Sequence, residues 1–215
     1  LKDTPESVQS LLSLGHLTWD NPLQSFNYFY QAVVAAKDLP ELQMEAQVNL
    51  IRLALRFPRP VPQLTQFYQG LQENLKTVPL SRSRVFARLN TTETILQFPE
   101  WDKVFSLTPQ DLQTLLQESL ADSRTLHDRC LESYTLGMWG NFYERTEHWS
   151  EAQHYTEQAL GLTAQVNDSV GLYQWQWQLG RVLAASQQQA AAEKSYGQAI
   201  ETLRGLRTDL ANLSS

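Results

Sequence analysis

The residues that could do chemistry are few. Cys130 is the only thiol, and His127 stands three residues before it, a spacing that puts two side chains on one face of a helix. A thiolate beside an imidazole is the core of a nucleophilic dyad. Such a dyad also needs an oxyanion site and an orienting group. Neither can be read here, and a free cysteine is commonly a buried packing residue. Cys130 is therefore expected to be chemically quiet, and no catalytic residue is assigned. His16, His127, His148 and His154 show neither an i,i+4 pair nor a His-Glu-x-x-His motif, so no metal site is expected. Glu144 and Glu147 flank Arg145 and read as a solvated helix face. No glycine-rich phosphate loop is present, and no cofactor is expected.

Composition narrows the partners. Apolar residues make up 42% of the 215, enough for a packed core. The net charge is −6, and the 17 basic residues are scattered. A protein that neutralises phosphates needs a basic stripe, so nucleic acid is not an expected partner. One cysteine excludes an internal disulfide. No apolar run reaches the roughly 18 residues of a membrane span, so a membrane is not expected either. The chain begins at Leu1 without Met and ends in ANLSS, which reads as a piece excised from a longer protein. A cytoplasmic location is expected, with a periplasmic or exported one left open because a leader could have been removed.

The elements that must position these residues read as helices throughout. Thr4, Asn21 and Thr108 each offer a polar N-cap followed by proline, and proline at the first helical position loses no needed hydrogen bond. Ser81, Ser150 and Asp168 are softer starts. The spacing predicts ten helices, near 5–18, 22–37, 40–57, 62–77, 82–97, 109–126, 129–146, 150–166, 169–186 and 189–211. They would form five hairpins. The weakest junction is FPRPVP, 57–62, where three prolines force an extended turn. The segment 98–109, FPEWDKVFSLTP, is the longest candidate loop.

An internal repeat underlies the last third. Gly140 falls on Gly180, Trp139 on Leu179, Tyr143 on Leu183, Ala152 on Ala192 and Ala159 on Ala199, a constant offset of 40. Earlier copies are blurred: Ala32 and Leu71, 39 apart, each lie near the end of a helix of similar shape. Five units of about 40 residues would account for one repeat domain spanning 1–215, with degenerate units in 1–128, two clear ones in 129–206 and a tail in 207–215.

This arrangement, with a small residue in the first helix and two alanines in the second, resembles the tetratricopeptide repeat (TPR) family. Small side chains let two antiparallel helices approach to roughly 8–10 Å. The match lies in Gly140 and Gly180, Ala152 and Ala192, and Ala159 and Ala199. Thr156 and Gln176 depart from it, standing where the family has large residues. More of the chain, above all WQWQLGR followed by LRGLRTDL, is similar to the TPR region of cyanobacterial proteins in which repeats precede a CHAT domain, a caspase-like peptidase module. The resemblance implies an all-α, right-handed superhelical solenoid that serves as an adaptor, with the enzyme after Ser215.

The stretch GLYQWQWQLG, 171–180, alternates like a β-strand, but the offset of 40 assigns it to a first helix. There Trp175 and Trp177 diverge by about 200°. Leu172, Trp175, Leu179 and Val182 then form the buried stripe, and Tyr173, Trp177, Arg181 and Ala184 another. The resemblance implies that such first-helix positions line a concave groove, so Tyr134, Asn141, Tyr173, Gln174, Trp177 and Arg181 are candidate ligand-binding residues. Tyr134, Gly137 and Asn141 would leave space opposite Trp177. The lysines that some TPR cochaperones use to hold a carboxylate tail are absent, Gly137 and Gln174 standing in such places. The expected function is a non-catalytic protein–protein interaction scaffold for a protein or peptide partner, its own downstream peptidase domain included. A structural or autoinhibitory spacer, and an enzyme built on Cys130, remain as alternatives.

Overall fold

The computed structural model describes residues 4–57, 63–98 and 101–213. Within them the chain forms eleven helices and no strand: α1 (Pro5–Leu17), α2 (Pro22–Ala35), α3 (Pro40–Ala54), α4 (Leu64–Thr77), α5 (Arg82–Gln97), α6 (Trp101–Phe105), α7 (Pro109–Thr125), α8 (Arg129–Arg145), α9 (Trp149–Val166), α10 (Ser169–Ala185) and α11 (Gln189–Leu213). Ten coincide with the expected helices to within a few residues. Most of the FPRPVP junction, 58–62, lies outside the described residues. The expected loop 98–109 instead contains α6, whose Phe105 is buried against Tyr68 of α4 with ring centroids 5.5 Å apart. Five residues are too few for a helical period to show.

The caps explain the starts. Thr4 accepts from the Ser7 backbone N–H while the Ser7 side chain accepts from that of Thr4, a reciprocal box. Asn21, Ser81 and Asp168 accept from Gln24, Arg84 and Gly171, and Thr108 accepts from Asp111. Each such cap contributes about 1 kcal/mol. The start expected at Ser150 falls one residue earlier, at Trp149, after His148, which makes no side-chain cap bond.

Two units divide the chain, Leu1–Leu115 and Leu116–Ser215, with the boundary inside α7. In the first, α1 packs on α2, α2 on α3, and α3 on both α4 and α5. Gly15 of α1 lies so close to the Phe29 ring that a Cβ would collide with it, and Ser25 donates to the Gly15 carbonyl at 2.8 Å. Between α3 and α4 the joint is polar: Asn74 donates to Gln43 at 2.8 Å and to Gln47 at 2.9 Å.

In the second unit, α8 packs on α9, α9 on α10, and α10 on α11. Ala152, Ala159, Ala192 and Ala199 are wholly buried, so the repeated alanines sit where the helices press closest. The reversals repeat as well. His127, Glu147, Asn167 and Gln187 all have left-handed backbone, 20 residues apart. The residue after each donates its N–H five residues back: Asp128 to Ser123, His148 to Tyr143, Asp168 to Thr163, Gln188 to Leu183. This is the bond that closes the C-terminus of a helix.

Candidate functional site

The candidate residues of α8 and α10 are best placed from the core outward. Trp175 is 1% exposed. Its six-membered ring lies on Gly137, where a Cβ would collide, Tyr134 meets it edge-on at 5.4 Å, and its Nε1 donates to Ser133 Oγ at 3.2 Å. Ser133 also donates to the Ala159 carbonyl. Trp177, by contrast, is 41% exposed. The two tryptophans thus face different surroundings, as helical spacing requires.

Several expectations are corrected here. The space left by Gly137 is taken by Trp175, so it does not lie open opposite Trp177. Trp177 packs on Tyr196 of α11, ring centroids 5.0 Å apart. Leu172 and Leu179 are only half-buried, and the buried stripe of α10 is Gly171, Trp175, Gln178 and Val182. Gln178 is the residue that sequence reasoning missed. Its amide donates to the Gly137 carbonyl and to Thr156 Oγ1, both at 2.9 Å. The signal for it was Thr156, a small hydroxyl where a large apolar residue was expected.

Arg181 is not a free cation for a ligand. It forms a two-pronged ion pair with Glu144 of α8, Nε to Oε1 at 2.6 Å and Nη2 to Oε2 at 2.8 Å, which raises the guanidinium pKa further. Glu144 is therefore a joint between helices, not a solvated side chain. Asn141 is half-buried, and its Oδ1 is enclosed without a hydrogen-bond partner. Tyr173 and Gln174 are half-buried on α10.

His127 and Cys130 do not share a helix. His127 occupies the left-handed turn before the N-cap Asp128, and Cys130 is half-buried in the first turn of α8. A shallow basin beside His127 is lined by Arg124, Arg129, Glu132 and Leu162, without Cys130, and Arg124 is paired with Glu132 at 2.8 Å. Among the described residues no three His, Cys, Asp or Glu side chains converge as a metal set. No described helix is long and apolar enough to cross a membrane.

The first unit holds a cleft that the sequence did not announce. Its volume is about 400 Å³, and alternate helices line it: His16 from α1; Glu41, Glu45, Asn49 and Arg52 from α3; Ser83, Phe86 and Asn90 from α5. On α3 these residues recur at three- and four-residue steps, so they form one stripe. Met44, Val48 and Ala87 make a buried apolar floor. Glu41 and Glu45 are exposed acids on the wall. Arg52 lies over the Trp19 ring, 5.7 Å from its centroid, with Arg56 at 5.2 Å. One turn beyond Asn90, burial raises the Glu93 pKa and the charge of Arg52 opposes that rise. An apolar floor, walls of both charges and amide groups able to donate and accept suit a polypeptide segment.

Against this geometry, comparison with known proteins adds no family: the chain matches no family model and no curated protein.

Proposed function

We propose that the chain is a non-catalytic interaction scaffold, a TPR-like α-solenoid that serves as the adaptor region of a larger protein with a CHAT-type peptidase module, and that it binds polypeptide along the faces of its first helices. The observation that carries this reading is the cleft across α1, α3 and α5, where alternate helices contribute to one surface. The 40-residue translation of α8–α9 onto α10–α11 supports the repeat architecture, because stacked repeats leave a continuous surface suited to recognition. The left-handed backbone at His127 itself, outside the helix that carries Cys130, disfavours a dyad on a shared helix face.

Selection of a displayed random-peptide library against the full chain tests the proposal. Enriched peptides should lose binding on Phe86→Ala and Arg52→Ala and keep it on Cys130→Ala. Enrichment indifferent to both cleft substitutions would remove the cleft from the reading. A hydrolytic activity lost on Cys130→Ala would replace the scaffold with an enzyme.

A further inference from the structure

The cleft of the first unit is walled by α1 and α5, both of which pack on α3, so it stands open with its neighbouring helices in place. What it lacks is charge balance. Glu41 and Glu45 are exposed on α3, four residues apart, and like charges at that spacing repel on a helix. Towards the other end of the same helix, Arg52 and Arg56 both lie over the Trp19 ring, 5.7 and 5.2 Å from its centroid. Arg56 also donates to the Trp19 carbonyl at 3.0 Å.

Among the described residues none of these four charges enters an ion pair. Glu93, the acid on which the charge of Arg52 acts, accepts a hydrogen bond from Gln97 instead. The macrodipole of α3 accounts for Glu41 in its first turn and Arg52 in its last. It does not account for a second acid at Glu45, nor for a second arginine gathered onto the same indole. The acidic and basic ends are about 16 Å apart at the helical rise, with Met44 and Val48 as the apolar floor between them. A volume of about 400 Å³ along that length is too narrow for a helix, which is about 10–12 Å across. It suits an extended backbone, which covers the distance in about five residues.

We infer that the cleft selects its polypeptide ligand by charge order: an extended partner segment with a basic side chain beside Glu41 and Glu45, an acidic side chain beside Arg52 and Arg56, and apolar side chains between them. The inference rests on the reading of the cleft as a polypeptide site and adds the class of segment that it takes. A segment carrying one sign of charge meets repulsion at one end of the cleft, so the two ends together discriminate where each alone would not.

Three synthetic peptides test it, blocked at both termini so that only side chains carry charge. All share an alternating leucine–serine spacer of about five residues. One has a lysine at one end and a glutamate at the other, one has two lysines and one has two glutamates. Binding to the full chain is read by fluorescence anisotropy. The mixed peptide should bind about tenfold or more tightly than either of the others. On a chain carrying Glu41→Lys and Glu45→Lys, both at exposed positions, the two-glutamate peptide should become the tightest while the melting temperature is unchanged. Arg52→Gln should bring the two-lysine peptide towards the mixed one, and the acidic-end variant decides the matter if Arg52→Gln fails to fold. Equal binding of the three peptides to the wild-type chain, or an unchanged ranking on the charge-reversed chain, overturns the charge order; loss of that binding on Phe86→Ala then still upholds the cleft as a polypeptide site. Binding that survives Phe86→Ala unchanged lies outside the cleft and overturns both readings. No saturable binding of any of the three overturns the charge order, and the library selection decides the cleft separately. Sedimentation of the chain alone as a dimer that Glu41→Lys with Glu45→Lys dissociates also overturns it, because the ligand is then a second copy.

Discussion

The α1–α5 run and the α8–α11 run solve the same packing problem with different regularity. In α8–α11 each reversal has a left-handed residue at the same place and the same backbone bond after it, and the small residues recur at a fixed offset. In α1–α5 three helices begin at proline, α4 begins at Leu64 and α5 follows Ser81, and two of the five, α3 and α4, have no side-chain cap bond. The close approach at Gly15 is not copied at the α3–α4 joint, where Gly70 instead faces the Gln47 amide. The irregular run carries the cleft. A repeat that copies itself hands the same joint forward; one that drifts can open space between helices.

The largest test of the contrast is within α10. Trp175→Ala should lower stability by roughly 3–5 kcal/mol, the range for deleting a buried aromatic, whereas Trp177→Ala should cost far less. Equal losses in chemical denaturation would mean that the two rings share one environment. Next, Gly140→Leu should cost roughly 1–3 kcal/mol or more by overpacking, since a Cβ there already meets Thr156, Gln178 and the Ala152 carbonyl. Gly161→Ala and Gly197→Ala, in helix interiors with open space around them, should instead stabilise by roughly 0.5–1 kcal/mol. A destabilising result at either open glycine would contradict the register.

A pH test bears on the first unit. Burial, helped by the charge of Asp111, pushes the Tyr68 hydroxyl up to about 12 from an ordinary value of 10.0. The folded state then holds this proton more tightly than the unfolded one. The contribution is complete below pH 10.0 and fades as pH rises towards about 12, with a size on the order of 2 kcal/mol. Tyr68→Phe should flatten that alkaline decline when stability is followed by urea denaturation across the range. An unchanged decline would assign it to other groups. The smallest effect concerns the turns. Glu147→Gly and Gln187→Gly should each raise stability by about 0.5–1 kcal/mol, because glycine takes left-handed backbone without a steric penalty. Asn167→Gly should gain least, asparagine being the non-glycine residue that tolerates it best. A uniform loss in melting temperature would show that the side chains themselves hold the turns.

The helices were legible because proline, polar caps and apolar spacing agree locally at nearly every boundary. The Trp175–Trp177 division was legible because the offset of 40 decided between strand and helix. Gln178, Gln43 and Gln47 were not: glutamine forms helix well on a surface, and only a partner on another helix reveals it as a buried bridge. The cleft escaped for a related reason. His16, Arg52 and Phe86 belong to three helices spread over 70 residues, and no periodicity within one helix marks a surface that three helices share. Arg181 and Glu144, 37 residues apart, look solvated until the fold brings them together.

Gln178 has a consequence for how the second unit comes apart. A row of hairpins touching only through apolar area can unzip one hairpin at a time, each end fraying on its own. The Gln178 amide ties the α8 backbone at Gly137 to the Thr156 hydroxyl of α9 from a position on α10. Peeling α10 away breaks both of these hydrogen bonds at once, in addition to uncovering the apolar area around Trp175. The hairpins are thereby coupled through one side chain, and melting of α8–α11 is driven towards a single cooperative step.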